Sequence, residues 1–286
     1  MNKRLILFII SMLCFTTLTG CGIDRRELVG DIIIGNGYTG IADYLIKYNP
    51  AANEFESVVP GFYYEVEYNE DKSKILCYKS LRYSEILNSE ICEYDIKSNE
   101  FSEAIFNWSE YPDEFEGNVK YVPNSDSISF ILGDALHIYD RSSGTLTKLF
   151  KVAFDWYSWD NTGKKLLYGD YDENIYMYDM ESKEEKKILE GRHPVYSNSN
   201  EYIAYMGKDQ KLTVYNVNTG ENWRTVTIGS STRYIFSPDD KYILLGTEYW
   251  DIVSIPHYII YALDYKTGKK KRLFGGEGNV PSLDWK

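Results

Sequence analysis

The sequence predicts an all-β fold, a six-bladed β-propeller of four-stranded antiparallel blades. Three observations predict it: an aromatic-rich composition, a turn signal repeated six times, and two chain ends that complement each other. The 286 residues include 27 Tyr, aromatics make up 16% of the chain and hydrophobic residues 43%. Helix-favouring Ala/Leu runs are few, and that composition suits pleated, half-buried surfaces.

The repeated signal decides the architecture. An Asp or Asn ends a strand, a small residue follows three places later, and a Gly or Asn usually comes next. The copies are Asn49/Ala52/Asn53, Asp95/Ser98/Asn99, Asp140/Ser143/Gly144, Asp179/Ser182/Lys183, Asn216/Thr219/Gly220 and Asp264/Thr267/Gly268. An Asx side chain accepts backbone N–H groups at such a corner, and Gly or Asn tolerates the positive φ that closes a hairpin. Ala52 and Lys183 depart from the pattern, so those two turns are expected to be looser. The Asx positions are spaced 46, 45, 39, 37 and 48 residues apart, room for four strands, a to d, of about 5–7 residues. Runs such as Leu166-Leu167-Tyr168 and Tyr202-Ile203-Ala204-Tyr205 are too apolar for one wet face. Sheets stacked face to face around an axis cover both faces.

The two ends supply the third observation. "NVPSLDWK" reads as a first strand with nothing after it. "LVGDIIIGNGYTGIADYLIKYNPAANEFESVV" reads as strands two to four with no first. Together they complete one blade, close the ring and leave no open sheet edge. The propeller is expected over 28–286.

One segment joins strands a and b of the last repeat: Phe236-Ser237-Pro238-Asp239-Asp240. Another, Ile260-Tyr261-Ala262-Leu263-Asp264, leads into the turn between c and d. These resemble the "(F/W)SPDG" corner and the "I-Y-x-x-D-x-x-T-G" segment of the WD-like units in TolB-type β-propellers. Tyr196-Ser197-Asn198-Ser199 lacks the Pro, and Tyr157-Ser158-Trp159-Asp160 has Trp in its place. The resemblance spans about residues 27–286. It implies architecture and says little about function, because one fold hosts many. The Pro-Asp corner is therefore read as structural: Pro presets φ and Asp caps the turn.

The first residues are read separately. Met1-Asn2-Lys3-Arg4 is basic, Leu5 to Leu18 is apolar, and Leu18-Thr19-Gly20-Cys21 follows. The apolar part is short for a membrane span and has the layout of a secretory signal. The last four residues resemble the bacterial lipobox. That resemblance implies cleavage of the signal peptide 1–20, a diacylglyceryl group on Cys21, and residues 21–27 as a lipidated tether. Two acyl chains suffice for stable anchoring. The expected location is the extracytoplasmic side of a cell membrane.

Cleavage would remove Lys3 and Arg4 and leave 29 basic against 43 acidic side chains, a balance of −14. That argues against nucleic acid and against flat binding to an anionic membrane, so the lipid, not charge, is expected to hold the chain there. Cys77 and Cys92 fall on neighbouring strands of one hairpin. An oxidising compartment permits a bridge; two buried thiols are the preferred expectation.

In a four-stranded meander the a–b and c–d turns share one face, and the b–c and d–a connections share the other. The long segments "SLRYSEILNS" (80–89), "NWSEYPDEFEGN" (107–118) and "EYWDIVSIPHY" (248–258) all belong to the second face. Variable loops on a rigid scaffold are where binding concentrates. The candidate ligand-binding residues are Arg82, Tyr83, Trp108, Tyr111, Phe115, Tyr249, Trp250 and His257, accompanied by Asp113, Glu114, Glu116 and Asp251. Trp and Tyr beside charges suit protein loops or sugar rings.

Catalytic signals are sparse. His137 precedes a strand end and reads as a packed blade residue, His193 stands before Pro194 near the channel, and His257 is placed in a loop. None has a His or Cys neighbour at metal-ligand spacing, and no G-x-S-x-G occurs. "DYDEN" (170–174) has the acids of a calcium loop without its Gly and distal Glu. The expectation is a monomeric, non-enzymatic binding module without metal or cofactor, docking an envelope protein or glycan on its loop face. The alternative is a small-substrate lyase or hydrolase with its site at the central channel mouth.

Overall fold

The computed structural model describes residues 22–35, 44–80, 89–107, 115–229, 232–251 and 254–286. Cys21, Arg82, Tyr83, Trp108 and Tyr111 lie outside them. The first blade takes β1 (Ile32–Gly35), β2 (Tyr44–Asn49) and β3 (Glu54–Pro60). The second holds β4 (Phe62–Tyr68), β5 (Lys74–Ser80) and β6 (Ser89–Asp95), with a broken outer strand of β7 (Glu100–Phe101) and β8 (Phe106–Asn107). The third has β9 (Phe115–Tyr121), β10 (Ser127–Leu132), β11 (Ala135–Asp140) and β12 (Thr145–Lys151). The fourth has β13 (Ala153–Trp159), β14 (Lys165–Gly169), β15 (Asn174–Asp179) and β16 (Glu185–Glu190). The fifth has β17 (Arg192–Tyr196), β18 (Tyr202–Met206), β19 (Lys211–Asn216) and β20 (Asn222–Thr227). The sixth has β21 (Arg233–Phe236), β22 (Ile243–Trp250), β23 (Pro256–Leu263) and β24 (Lys270–Glu277).

The last strand, β25 (Ser282–Trp285), returns to the first blade as its innermost strand. It pairs antiparallel with β1, Ile32 opposite Trp285 and Gly35 opposite Ser282. Where the other blades have a covalent a–b turn, Asp31 and Lys286 exchange two backbone hydrogen bonds of 2.8 and 3.1 Å. The ring is closed by the two chain ends, as the sequence predicts.

All six predicted c–d corners form. Five of the Asx side chains each accept two backbone N–H groups at 2.8–3.0 Å. The closing residue has positive φ in every copy: Asn53, Asn99, Gly144, Lys183, Gly220 and Gly268. The accepted N–H bonds hold the Asp95 and Asp179 carboxyls below the usual range. The two departures behave differently. The Asn49 turn makes one such bond, from Ala52, and is the looser copy. The Asp179 turn keeps both bonds at 2.9 Å, so looseness there is not found. Its departure appears instead as a lysine at φ 61°, which costs about 1–2 kcal/mol of backbone strain.

The inner strands would leave a row of N–H groups facing the axis, each costly if unpaired. Side chains of the neighbouring blade satisfy several. Asp284 accepts from Tyr68 N (2.8 Å), Ser282 from Val66 N (3.1 Å), Glu67 from Tyr121 N (2.6 Å) and Ser158 from Tyr196 N (3.0 Å). The a–b turns are stitched too. Asn124 donates to Asn161 O (3.0 Å), Asn161 to Asn198 O (2.7 Å), and Asn198 to Asp240 Oδ1 (3.0 Å). The Pro-Asp corner is one link in that chain.

Cys77 and Cys92 are directly opposite one another on β5 and β6, buried and free. Burial pushes both thiols up, Cys92 to about 12. Ile23 and Leu28 are buried, and a 3-10 turn over Arg25–Glu27 lies between them.

Candidate functional site

Every inner strand runs from the b–c/d–a face, the loop face, toward the turn face. Two features of the loop face carry chemistry: a raised hairpin on the sixth blade and the mouth of the central channel.

The hairpin comes from strand length. β22 has eight residues, against five in β14 and β18. Three extra residues lift its tip by about 10 Å. Much of "EYWDIVSIPHY" is therefore strand: Tyr249 pairs with His257, and Trp250 with Pro256. His257 lies on β23, which corrects its placement in a loop. Asp251 fixes the tip by accepting Ile255 N at 2.9 Å and contacting His257 Nε2 at 3.2 Å. The His257 ring stacks on Tyr249 at 5.2 Å and 14°. With their ring partner and turn in place, the aromatics are held outward: Trp250 is 61% exposed and Tyr249 47%. Beside them an open cleft of about 300 Å³ separates blades five and six. Thr227, Thr232, Thr247, Glu248 and Trp250 line it. Hydroxyls, one carboxylate and an indole face are groups that bind a polar, non-anionic ligand.

The channel mouth is narrower, about 70 Å³. Glu65 bridges two strands there: Oε1 lies 3.4 Å from Arg233 Nη2, and Oε2 accepts from Ser282 Oγ at 3.2 Å. Trp156 stacks on His193 at 4.7 Å, with the Arg233 guanidinium 5.9 Å from the Trp156 ring. Deeper in, burial pushes the Glu67 carboxyl up, against the pull of Lys120. His193 is 7% exposed. Burial, then the charges of Arg192 and Arg233, push its imidazole down to about 4, so it is neutral at pH 7.

That shift has a thermodynamic consequence. A His with an unfolded pKa of about 6.5 binds a proton in the unfolded chain that the fold refuses between pH 6.5 and 4. Stability is full above pH 6.5 and falls as pH drops through that window, by about 2–3 kcal/mol from this group. His193→Asn, which tolerates the φ of 55°, is expected to shrink the loss. Urea unfolding of both proteins at pH 7 and pH 4.5 checks it; parallel pH profiles would refute it.

The predicted residues are thus dispersed. Tyr249, Trp250 and His257 share the raised hairpin. Phe115 opens inner strand β9 rather than sitting in a connection. His137 is a packed blade residue, its Nδ1 3.0 Å from Ala135 O. In "DYDEN", Asp170 accepts from Asp172 N, Asn174 N and Asn174 Nδ2, so its oxygens hold the turn. The neighbouring Tyr171, 74% exposed, was missed as a surface aromatic. Also missed were the threonines of the cleft and the Glu65–Arg233–Ser282 cluster, whose members lie 168 and 217 residues apart. No local pattern marks such a pairing. Among the described residues no group of three or more His, Cys, Asp or Glu could hold a metal ion.

Comparisons with known proteins agree on architecture. No protein-family model matches the chain, and no curated protein does. Solved structures do. An oligogalacturonate lyase in complex with manganese superposes with a TM-score of 0.52 at 18% identity, over 84% of this chain and 72% of that one. A chain of the mitotic checkpoint complex gives 0.52 at 16% identity, over 90% and 80%. At these identities the likeness shows the fold alone. The protein is a six-bladed β-propeller.

Proposed function

We propose that this propeller is a lipid-anchored, TolB-type binding module on the extracytoplasmic side of a cell membrane, docking an envelope protein or glycan on its loop face. The observation that carries the reading is the raised hairpin of blade six. It presents Trp250 and Tyr249 to solvent on a braced support, next to a hydroxyl-lined cleft. Exposed aromatics on a rigid element are the usual anchors of an interface. The lipobox-like "LTGC" supports the anchor.

The second reading is a small-substrate lyase or hydrolase at the channel mouth. The Glu65–Arg233–Ser282 cluster favours it, and one structural neighbour is a lyase. A mouth of about 70 Å³ is small for the ligand pockets of enzymes, so the hairpin carries more weight.

The experiment is crosslinking in cells followed by identification of the captured molecules. Tyr249→Ala with Trp250→Ala is expected to cut recovery of the main partner about 10-fold or more, in line with interface hot spots, with unchanged circular dichroism. An unaltered capture profile would sink the hairpin as the docking site and shift weight to the channel.

A further inference from the structure

The turn face carries a second surface. The described chain begins there, and its first residues are clamped to the seam between blades six and one. Arg25 Nη1 donates to the Tyr48 hydroxyl and to Asn53 Oδ1; Nη2 donates to the carbonyls of Arg272 (3.2 Å) and Leu273 (3.1 Å). Glu27 accepts from the Tyr242 hydroxyl at 2.8 Å. Ile23 is 7% exposed. In the sequence, Cys21 stands two residues before Ile23.

Beside the clamp lies the sixth c–d hairpin, "YKTGKKKRLF". Lys266, Lys269, Lys270 and Arg272 are exposed and Lys271 is half-buried. Among the described residues none of these five is in an ion pair; Lys266 Nζ lies 5.5–5.7 Å from the Tyr202, Trp223 and Tyr265 rings and Lys270 Nζ 5.3 Å from the Tyr261 ring. Arg26 and Lys241 add exposed cations nearby, each beside one carboxylate. Two exposed apolar side chains flank the clamp, Val29 at 45% and Phe55 at 43%. Phe55 packs on Tyr48 and Phe274, 4.5 and 5.4 Å away. The protein carries a net charge of −12, so five cations on one hairpin, with no ion pair among the described residues, run against the balance of the whole chain.

We propose that this patch seats the propeller on an anionic phospholipid surface, turn face down, so that the loop face points away from the membrane. The orientation rests on the lipid-anchor reading of Cys21; the basic patch stands independently of it. Cations around a small apolar contact are the composition of an interfacial membrane site. Each lysine near an anionic surface strengthens attachment about fivefold, within a Debye length. The overall negative charge is no obstacle to a short-ranged local attraction of that kind. The proposal departs from the expectation that the lipid, not charge, holds the chain there.

The test uses the full chain in phosphatidylcholine vesicles with and without phosphatidylglycerol. A fluorophore is placed on Thr267→Cys, on the turn face, or on Tyr171→Cys, on the loop face; buried Cys77 and Cys92 do not compete for the label. Cys14 would leave with the signal peptide, and a lipidated Cys21 has no thiol; where its mass is unmodified it is replaced by Ser before labelling. Headgroup-nitroxide lipid is expected to quench the first label several-fold more than the second. In phosphatidylglycerol vesicles, Lys269→Glu, Lys270→Glu and Lys271→Glu together are expected to reduce that quenching. Equal quenching at both labels, or no effect of charge reversal, overturns the proposal. An intact mass with unmodified Cys21 would remove the anchor reading alone. In that case the chain should still bind phosphatidylglycerol vesicles at least about tenfold more tightly than the triple variant. Equal binding, or binding to heparin without preference for anionic vesicles, overturns the patch as a membrane site.

Discussion

Trp285→Ala is expected to lower the unfolding free energy by about 3–5 kcal/mol. Trp285 is 1% exposed in a cluster with Ile32, Leu28, Tyr48 and Phe274. Its Nε1 donates to Val29 O at 2.8 Å. Truncation leaves a cavity the size of an indole and strips a partner from the Val29 carbonyl. It also acts at the one place where the ring is closed by pairing rather than by a covalent turn. β25 meets β1 through four register pairs, and losing them would expose the edge of β1 to other chains. Urea denaturation at pH 7 measures the effect. Trp250→Ala, at a side chain 61% exposed, should stay within about 0.5 kcal/mol of wild type and serves as the control. Equal stability of the two variants would mean that the ring does not depend on its closing strand.

Asp240→Ala is expected to cost about 3–4 kcal/mol. Asp240 Oδ1 accepts from Asn198 N at 2.8 Å and Asn198 Nδ2 at 3.0 Å, and Oδ2 accepts from Ser199 N at 2.8 Å. Its side chain therefore fastens blade five to blade six across 41–42 residues of sequence. Hydrogen bonds to a charged group contribute about 1.5–3 kcal/mol each when isolated and do not add fully. Alanine at φ 57° adds about 1 kcal/mol of strain. Asp239→Ala is the contrast: that carboxylate contacts Ser237 and Lys241 within its own turn, and about 1 kcal/mol is expected. A double-mutant cycle of Asp240→Ala with Asn198→Ala should show coupling of about 1 kcal/mol or more. Additive losses would mean that the two blades are held by other contacts.

Much of the fold is legible in the sequence because its turn chemistry is local. Asp95, Asp140 and Asp264 bind N–H groups two and three residues onward, so each copy of the signal carries its own structure. Lys183 breaks the residue preference without breaking the turn, since the Asp179 bonds outweigh the strain. The candidate site was legible only in part. Tyr249 and Trp250 could be found as aromatics in a long segment, but not as the tip of a longer β-hairpin. The apolar-polar alternation of "IPHYIIYAL" is weak, so strand and loop are hard to separate there. The charge balance says nothing about where on the fold the charges sit. A sum over the whole chain hides a cluster of five cations on one hairpin.

By itself the sequence determined the number of blades, the order of strands within them and the closing of the ring by its two ends. Those depend on turns of about five residues and on a strand count, both readable from neighbours along the chain. Only the tertiary structure decided which turn touches which, that Glu65 meets Arg233 and Ser282, and that Arg25 fastens the first described residues to blades six and one. Those contacts join residues 23 to 248 positions apart. They are set by the packing of whole blades, and sequence distance carries no record of it.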